Sequence, residues 1–305
     1  MNETNSKCPI CSSSSIRQKP FKYLFHGSEL RGWNCARCGI IFIHPQPSTE
    51  ELKRLYAAEY FEGGDFRCGH EEAYSDPATL KRIADPELLI EIKALTVGRR
   101  FLEIGCAGGA FLDAARKVGF QVQGVELSED ACRFARETFG LQVFAGELAD
   151  AHFPEGSFDV VFMGDVIEHL ADPVAVLREI NRVLGKQGML VMALPSQTNS
   201  LFSRLGFSVF ELVGRSATVS LPPYHLFEYR PRSLQYVLRM CGFEISRLRQ
   251  GIIPPSRVNL RGPVIQRFGK KLLQYPNFVL THLFGVCGDR ITVFATARKQ
   301  RDARE

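Results

Sequence analysis

The stretch RRFLEIGCAGGAFLDAARKVGFQVQGVELSED, residues 99–130, constrains the fold more than any other part of the chain. A short apolar run (Phe101, Leu102, Ile104) meets a turn of small residues, then a helical pattern, then a second strand ending in an acid. That order is the start of a βαβ unit, and its glycine-rich first turn is where such folds bind nucleotides. Dinucleotide recognition needs glycine at the first, third and sixth places, so that the backbone can approach a pyrophosphate. Gly105-Cys106-Ala107-Gly108-Gly109-Ala110 has alanine at the third and sixth. The fit is poor.

The acids say more. Glu103 ends the first strand, Glu126 the second (VQGVEL), Glu147 follows the third (LQVFAGE) and Asp165 the fourth (FDVVFMGD). In an open α/β sheet the ligand sits at the carboxyl ends of the strands. Carboxylates there repel a pyrophosphate and suit a ligand with an ammonium, a sulfonium and a ribose diol. S-adenosylmethionine has all three and no phosphate.

The pattern continues. SEDACRFARETFG is a helix with Ser128 as N-cap and Gly140 as stop; DPVAVLREINRVL starts at Asp172-Pro173 and ends at Gly185. GMLVMALP is a strand ended by Pro195, PRSLQYVLRMCGFEISRLRQ is a helix and a strand, and DRITVFATARK is an alternating strand. This alternation predicts an α/β fold with a parallel sheet, right-handed crossovers and helices on both faces. Two insertions, at about 196–227 and 251–286, interrupt it. In the first, Phe202, Leu205, Phe207, Phe210 and Leu212 form a hydrophobic lid, a helix packed on the core, or a surface for a second copy.

At the front, CPIC (Cys8, Cys11) and CARCG (Cys35, Cys38) are paired Cys-x-x-Cys units. That spacing turns both sulfurs of a knuckle toward one ion, and four thiolates complete a closed tetrahedral zinc shell of structural type. Gly39 helps the second knuckle; Ser12 stands at the same place in the first. His26 and His44 are surface residues or substitute ligands. The zinc ribbon spans 1–47 and stops at its prolines, and connecting helices fill 48–95. Those helices open on a capping box, Ser48 with Glu51, followed by an apolar stripe of Leu52, Leu55 and Tyr56. Leu80, Ile83, Leu88, Ile92 and Leu95 pack onto the next domain, and Tyr60 and Tyr74 line a pocket or pack.

Composition bounds the class. The 305 residues are 45% apolar and 23% charged, as in soluble globular proteins. No run reaches the ~18 apolar residues of a membrane span, and MNETNSKCPIC lacks a signal-peptide core, so the expected location is cytoplasmic. Nine cysteines in such a compartment read as a metal site plus free thiols. The net charge of +5 is too mild to argue for nucleic acid, and the cleft motifs are acidic. Basic residues gather toward the C-terminus (Lys270, Lys271, Arg298, Lys299, Arg301), as a solvated face and tail.

FLEIGCAGGAFL, VQGVELSE, GFEI and above all the block from 156 to 195 resemble class I S-adenosylmethionine-dependent methyltransferases, over about residues 96–300. The resemblance implies a Rossmann-like seven-stranded sheet, its last strand antiparallel, in a domain of residues 96–305. It implies that Glu103 and the turn of Gly105, Cys106, Ala107 and Gly109 hold the methionine end of the cofactor. Glu126, beside Leu127, takes both ribose hydroxyls; Glu147 and Leu148 border the adenine; Asp165 lies along the methionine moiety.

A four-cysteine ribbon, connecting helices and such a domain together resemble bacterial enzymes of sugar, surface-polysaccharide or natural-product biosynthesis. The implied function is methyl transfer to a small-molecule or glycan acceptor, with a hydroxyl as the expected site. Sugar C-methylation, a non-catalytic zinc-ribbon binding module and RNA methylation stand as alternatives. A hydroxyl or carbon acid needs a base, and histidines titrate nearest neutrality. His225, in PPYHLFEY, is the first candidate, with a helix cap as its alternative; His169, in DVIEHL, is the second, with a structural turn contact as its alternative. Asp165, Glu168 and His169 also resemble the acid-x-x-Glu-His cluster that can bind a divalent metal in ubiquinone-type O-methyltransferases.

Overall fold

The computed structural model describes residues 7–48, 50–52, 76, 80, 83–219, 223–252 and 264–298. Leu55, Tyr56, Tyr60, Tyr74, Lys299 and Arg301 lie outside the described residues. β1 (Ile16–Phe25), β2 (Ser28–Cys35) and β3 (Ile41–His44) form an antiparallel meander. After α1 (Pro86–Leu95) the predicted alternation runs β4 (Arg100–Ile104), α2 (Ala110–Lys117), β5 (Gln121–Glu126), α3 (Glu129–Phe139), β6 (Val143–Ala145), β7 (Phe158–Gly164), α4 (Pro173–Val183) and β8 (Leu184–Pro195). Then come α5 (Leu201–Leu212), the short strands β9 (Ala217–Val219) and β10 (Phe227–Glu228), α6 (Pro231–Met240), β11 (Phe243–Gly251), α7 (Val264–Phe284) and β12 (Arg290–Ala297).

The large sheet has seven strands in the order β11-β12-β8-β7-β4-β5-β6. β4 to β8 pair in parallel, and β12 is antiparallel to both neighbours. The local signals explain the helix ends. Ser128 Oγ accepts from the Ala131 N–H at 3.3 Å, and Gly140 closes α3 at φ 63. Asp172 Oδ1 accepts from the Ala175 N–H at 2.9 Å, and Pro173 takes the first helical position. α4 stops at Val183, before the expected Gly185, because Leu184 already turns extended to start β8.

Strand residues alternate between two apolar layers. Phe101, Val160, Phe162, Val191 and Phe294 face one, which also holds Leu89, Ile92, Phe111 and Leu112 of α1 and α2; the Phe111 and Phe162 rings stack at 4.1 Å. Leu102, Val161, Met163, Leu190 and Val293 face the other, against Leu177 and Ile180 of α4 and Leu234 and Val237 of α6. This second layer continues without a break into the N-terminal module, through Ile40, Ile41, Ile43, Leu226 and Phe227.

The small sheet reaches further along the sequence than the cysteine spacing indicates. Its order is β10-β3-β2-β1-β9, so residues of the first insertion supply both edges. α5 packs on it too, with Phe207 stacked on Phe21 at 5.8 Å, while Leu205, Val209 and Leu212 stay exposed. α7 fills part of the second insertion and turns polar residues inward; Asn277 Oδ1 accepts from the Leu201 N–H at 3.0 Å and so caps α5.

Leu190 sits fully buried in β8 between two paired strands. Leu190→Ala is expected to lower the unfolding free energy by roughly 2–5 kcal/mol, read as a reduced urea midpoint at unchanged slope.

Candidate active site

The turn after β4 is held by backbone geometry. Gly105, Ala107 and Gly109 adopt φ 69, 45 and 80. The N–H groups of Gly105 and Cys106 both donate to the Val125 carbonyl, at 2.8 and 3.3 Å, which ties the turn to β5. A Cβ on Gly105 would lie 2.4 Å from Val166 Cγ2, so glycine is required there for space as well as for φ.

Glu126 ends β5 with both oxygens engaged. Oε2 accepts from the Ala107 N–H and Oε1 from the Ser128 N–H, each at 2.9 Å. Each oxygen keeps one lone pair. Burial pushes the Glu126 carboxyl up and these N–H groups pull it back. Glu103 is buried beneath the turn, and its Oε2 has no hydrogen-bond partner among the described residues. Burial, then the neighbouring Glu126, pushes Glu103 well above the carboxylate range. Such a desolvated acceptor calls for a cation or a donor. The buried Cys106 thiol is likewise pushed up, by burial and then by Glu103 and Glu126.

The remaining cofactor candidates sit differently. Asp165, at φ 54, is half exposed, and Arg290 Nη2 donates to its Oδ1 at 2.7 Å. Glu147 and Leu127 are exposed, and Leu148 is buried.

Beside this rim lies a second cluster. The short helical turn Ile167–His169 follows β7 and buries Glu168 almost completely. His169 Nδ1 meets the Tyr224 carbonyl at 2.8 Å, so Nδ1 carries the proton and Nε2, 3.7 Å from Glu168 Oε1, is the unprotonated nitrogen. The His169 and His225 rings are 5.0 Å apart, and His225 Nδ1 lies 3.2 Å from Glu228 Oε1. Ligand-type atoms of Glu168, His169 and His225 fall within 4.8 Å of one another. Asp165, which the sequence grouped with Glu168 and His169, is instead engaged by Arg290.

Protonation follows from these partners. Burial pushes Glu168 up to about 8, with Asp165 adding to it and His225 opposing. Burial and the His225 charge hold His169 down at about 3. Burial alone would lower His225; the Glu228 hydrogen bond and charge outweigh it and raise the imidazole to about 9. At neutral pH His225 is therefore an imidazolium and His169 a neutral ring. His225 does not cap α6, whose N-cap is Arg230. Glu228 and Arg290 escaped sequence reasoning. The one available signal was the spacing of Glu228, three residues after His225.

The four N-terminal thiols converge. Cys8 and Cys38 sulfurs are 3.6 Å apart, as are those of Cys11 and Cys35, and all four lie within 4.8 Å of one another. A disulfide would need about 2.05 Å, whereas the edge of a tetrahedron with bonds of ~2.3 Å is ~3.8 Å. The knuckles match: Ser12 N–H donates to Cys8 O and Gly39 N–H to Cys35 O, both at 2.9 Å, with φ 56 and 78. His26 and His44 are exposed and lie outside this group.

Residues 102–192 match the family model of the methyltransferase domain. The chain is an S-adenosylmethionine-dependent methyltransferase. The ubiquinone biosynthesis O-methyltransferase of Thiobacillus denitrificans is 26% identical over 170 residues, covering 52% of this chain and 70% of that protein. The 2-methyl-6-phytyl-1,4-hydroquinone methyltransferase of a Synechocystis strain is 26% identical over 269 residues, covering 79% of this chain and 83% of its own length. Among solved structures, a methyltransferase from Archaeoglobus fulgidus aligns with a TM-score of 0.50 at 19% identity, over 71% of this chain and 94% of that one. This likeness shows the methyltransferase fold. Among the described residues no helix is long and apolar enough to cross a membrane.

In this methyltransferase, Gly105→Ala adds a Cβ against Val166 at a left-handed φ. The strain of ~1–2 kcal/mol is expected to weaken S-adenosylmethionine binding about tenfold in calorimetry, with the far-ultraviolet dichroism unchanged.

Proposed function

We propose that this methyltransferase transfers a methyl group to a hydroxyl of a small-molecule or glycan acceptor, in the biosynthesis of a polysaccharide or secondary metabolite. The observation that carries the cofactor half is the pair of sunken carboxylates, Glu103 with an unpartnered oxygen and Glu126 with a lone pair left on each oxygen. In this reading Glu126 takes the ribose hydroxyls and Glu103 answers the cationic methionine end through the turn of Gly105, Cys106, Ala107 and Gly109. Leu127, Glu147 and Leu148 border the nucleoside, and Asp165 borders the methionine chain. When bound, S-adenosylmethionine supplies a methyl carbon on a sulfonium leaving group.

The acceptor half rests on His225. Its imidazole, once neutral, would take the proton of the acceptor hydroxyl, freeing that oxygen to receive the methyl group that S-adenosylmethionine would supply. Glu228 orients the ring and raises its basicity. His169, bonded to the Tyr224 carbonyl, fixes the segment that carries His225. The name of the ubiquinone O-methyltransferase relative supports a hydroxyl on a small molecule. We further propose that Cys8, Cys11, Cys35 and Cys38 hold one structural zinc. Four thiolates leave no open position for chemistry, so the metal's role is structural.

Two pH measurements test this reading. A raised Glu103 must shed its proton to meet a cation, so S-adenosylmethionine affinity is expected to strengthen as pH rises, with proton release on binding. Calorimetry in buffers of different ionisation enthalpy reads that release, and Glu103→Gln is expected to abolish it. Once an acceptor has been found by screening for S-adenosylhomocysteine, kcat/KM is expected to rise with pH through an inflection near the His225 value of about 9. Glu228→Gln removes the charge that raises it, so the inflection moves down toward ~6.5. An inflection that stays in place would reject His225 as the base.

A further inference from the structure

The cysteine module and the acid–base cluster are joined by a short run of backbone. Cys35 N–H donates to Ile40 O at 2.9 Å, and the Asn34 amide donates to the Gly39 and Ile40 carbonyls at 3.2 and 3.1 Å, so the second knuckle sets where β3 begins. Ile41 of β3 stands only three residues after Cys38. β3 pairs with β10 in the register Ile41↔Glu228 and Phe42↔Phe227. Ile43 N–H donates to Leu226 O at 3.1 Å, and Leu226 N–H donates to Glu168 O at 2.9 Å. Tyr224 supplies the carbonyl that binds His169, and Glu228 supplies the carboxylate on His225. From 224 to 228, then, the chain is bonded to the small sheet on one side and to the cluster on the other.

β10 has two residues. A strand that short cannot fix its own position; it takes it from the neighbour it pairs with. That neighbour is β3, whose four residues are set by the thiol knuckle and whose Ile41, Phe42 and Ile43 are buried in the shared core.

We infer that the four-cysteine module is the positioning element for the acceptor side of the active site: the metal holds β3, β3 holds β10, and β10 holds Glu228 and His225 against Glu168 and His169. The inference rests on the zinc and base readings above. It assigns the module a role in this chain's own chemistry rather than in recruiting a separate partner. The cofactor turn, on β4 and β5, has no hydrogen bond to the small sheet among the described residues, so its affinity should be independent of the thiols.

The test uses the full chain with its metal, before and after chelation, followed by zinc re-addition. Three quantities are read: zinc per chain, S-adenosylmethionine affinity by calorimetry, and amide hydrogen exchange resolved at Ile43 and Leu226. The expected result is one zinc released, exchange at both amides faster by roughly tenfold or more, unchanged S-adenosylmethionine affinity, and full reversal by zinc. Methyl transfer, where an acceptor is in hand, falls and recovers in parallel. If zinc leaves and Gly39 exchanges faster while Leu226 keeps its protection, the coupling is wrong and the zinc reading stands. If S-adenosylmethionine affinity is lost as well, the metal supports the whole fold and selective positioning is wrong. A chain that purifies folded without metal overturns both readings. Cys38→Ser, expected to copy chelation without recovery on zinc addition, separates loss of the site from side effects of the chelator.

Discussion

Two carboxyl groups taken out of water at the carboxyl edge of a parallel sheet are the constraint from which the rest of the site follows. Glu103 pairs with Gly124 across β4 and β5, two residues before Glu126, so both carboxyl groups stand on the same face of the sheet. Burying such groups costs free energy unless something offsets it. Glu126 is offset by two backbone N–H groups of the turn and of the segment that opens α3. Glu103 Oε2 has no hydrogen-bond partner among the described residues. Among the described residues the fold thus leaves one desolvated carboxyl oxygen unpartnered, an arrangement that suits a cation or a donor better than a pyrophosphate. Preorganisation of this kind lets the charge act in a low-dielectric setting at the moment the ligand binds.

The second half of the site is built by association between distant parts of the chain. His169 and Glu168 follow a central strand, as in any sheet whose loops carry chemistry. His225 and Glu228 arrive on a segment with almost no secondary structure of its own, held by an N-terminal sheet that needs strands from that same segment to complete both edges. The small sheet and the insertion are therefore interdependent. The shared apolar layer through Ile41, Ile43, Leu226 and Phe227 makes that dependence energetic as well as topological.

Much of this was legible in the sequence, for identifiable reasons. Ser128, Gly140, Asp172 and Pro173 carry side-chain or φ preferences that act locally, so helix α3 and the start of α4 stood out. The paired cysteines are legible because their spacing is itself the geometry. β9 and β10 were not, since strands of three and two residues show no alternation to detect. The charge state of His225 was hidden as well. It depends on Glu228 and on the burial of Glu168, and burial is a property of the packed core rather than of neighbours in sequence. The four strand-end acids looked equivalent in the sequence; packing divides them into two sunken, one paired with Arg290 and one exposed.

The central claim is that buried carboxyl groups, Glu103 on losing its proton, choose a cationic cofactor. Calorimetric titration of the full chain with S-adenosylmethionine and, separately, with nicotinamide adenine dinucleotide at equal concentration and low salt tests it most directly. The account predicts one-to-one binding of the sulfonium compound and no measurable heat from the dinucleotide. Binding of the dinucleotide as tight as or tighter than that of the sulfonium compound would contradict it.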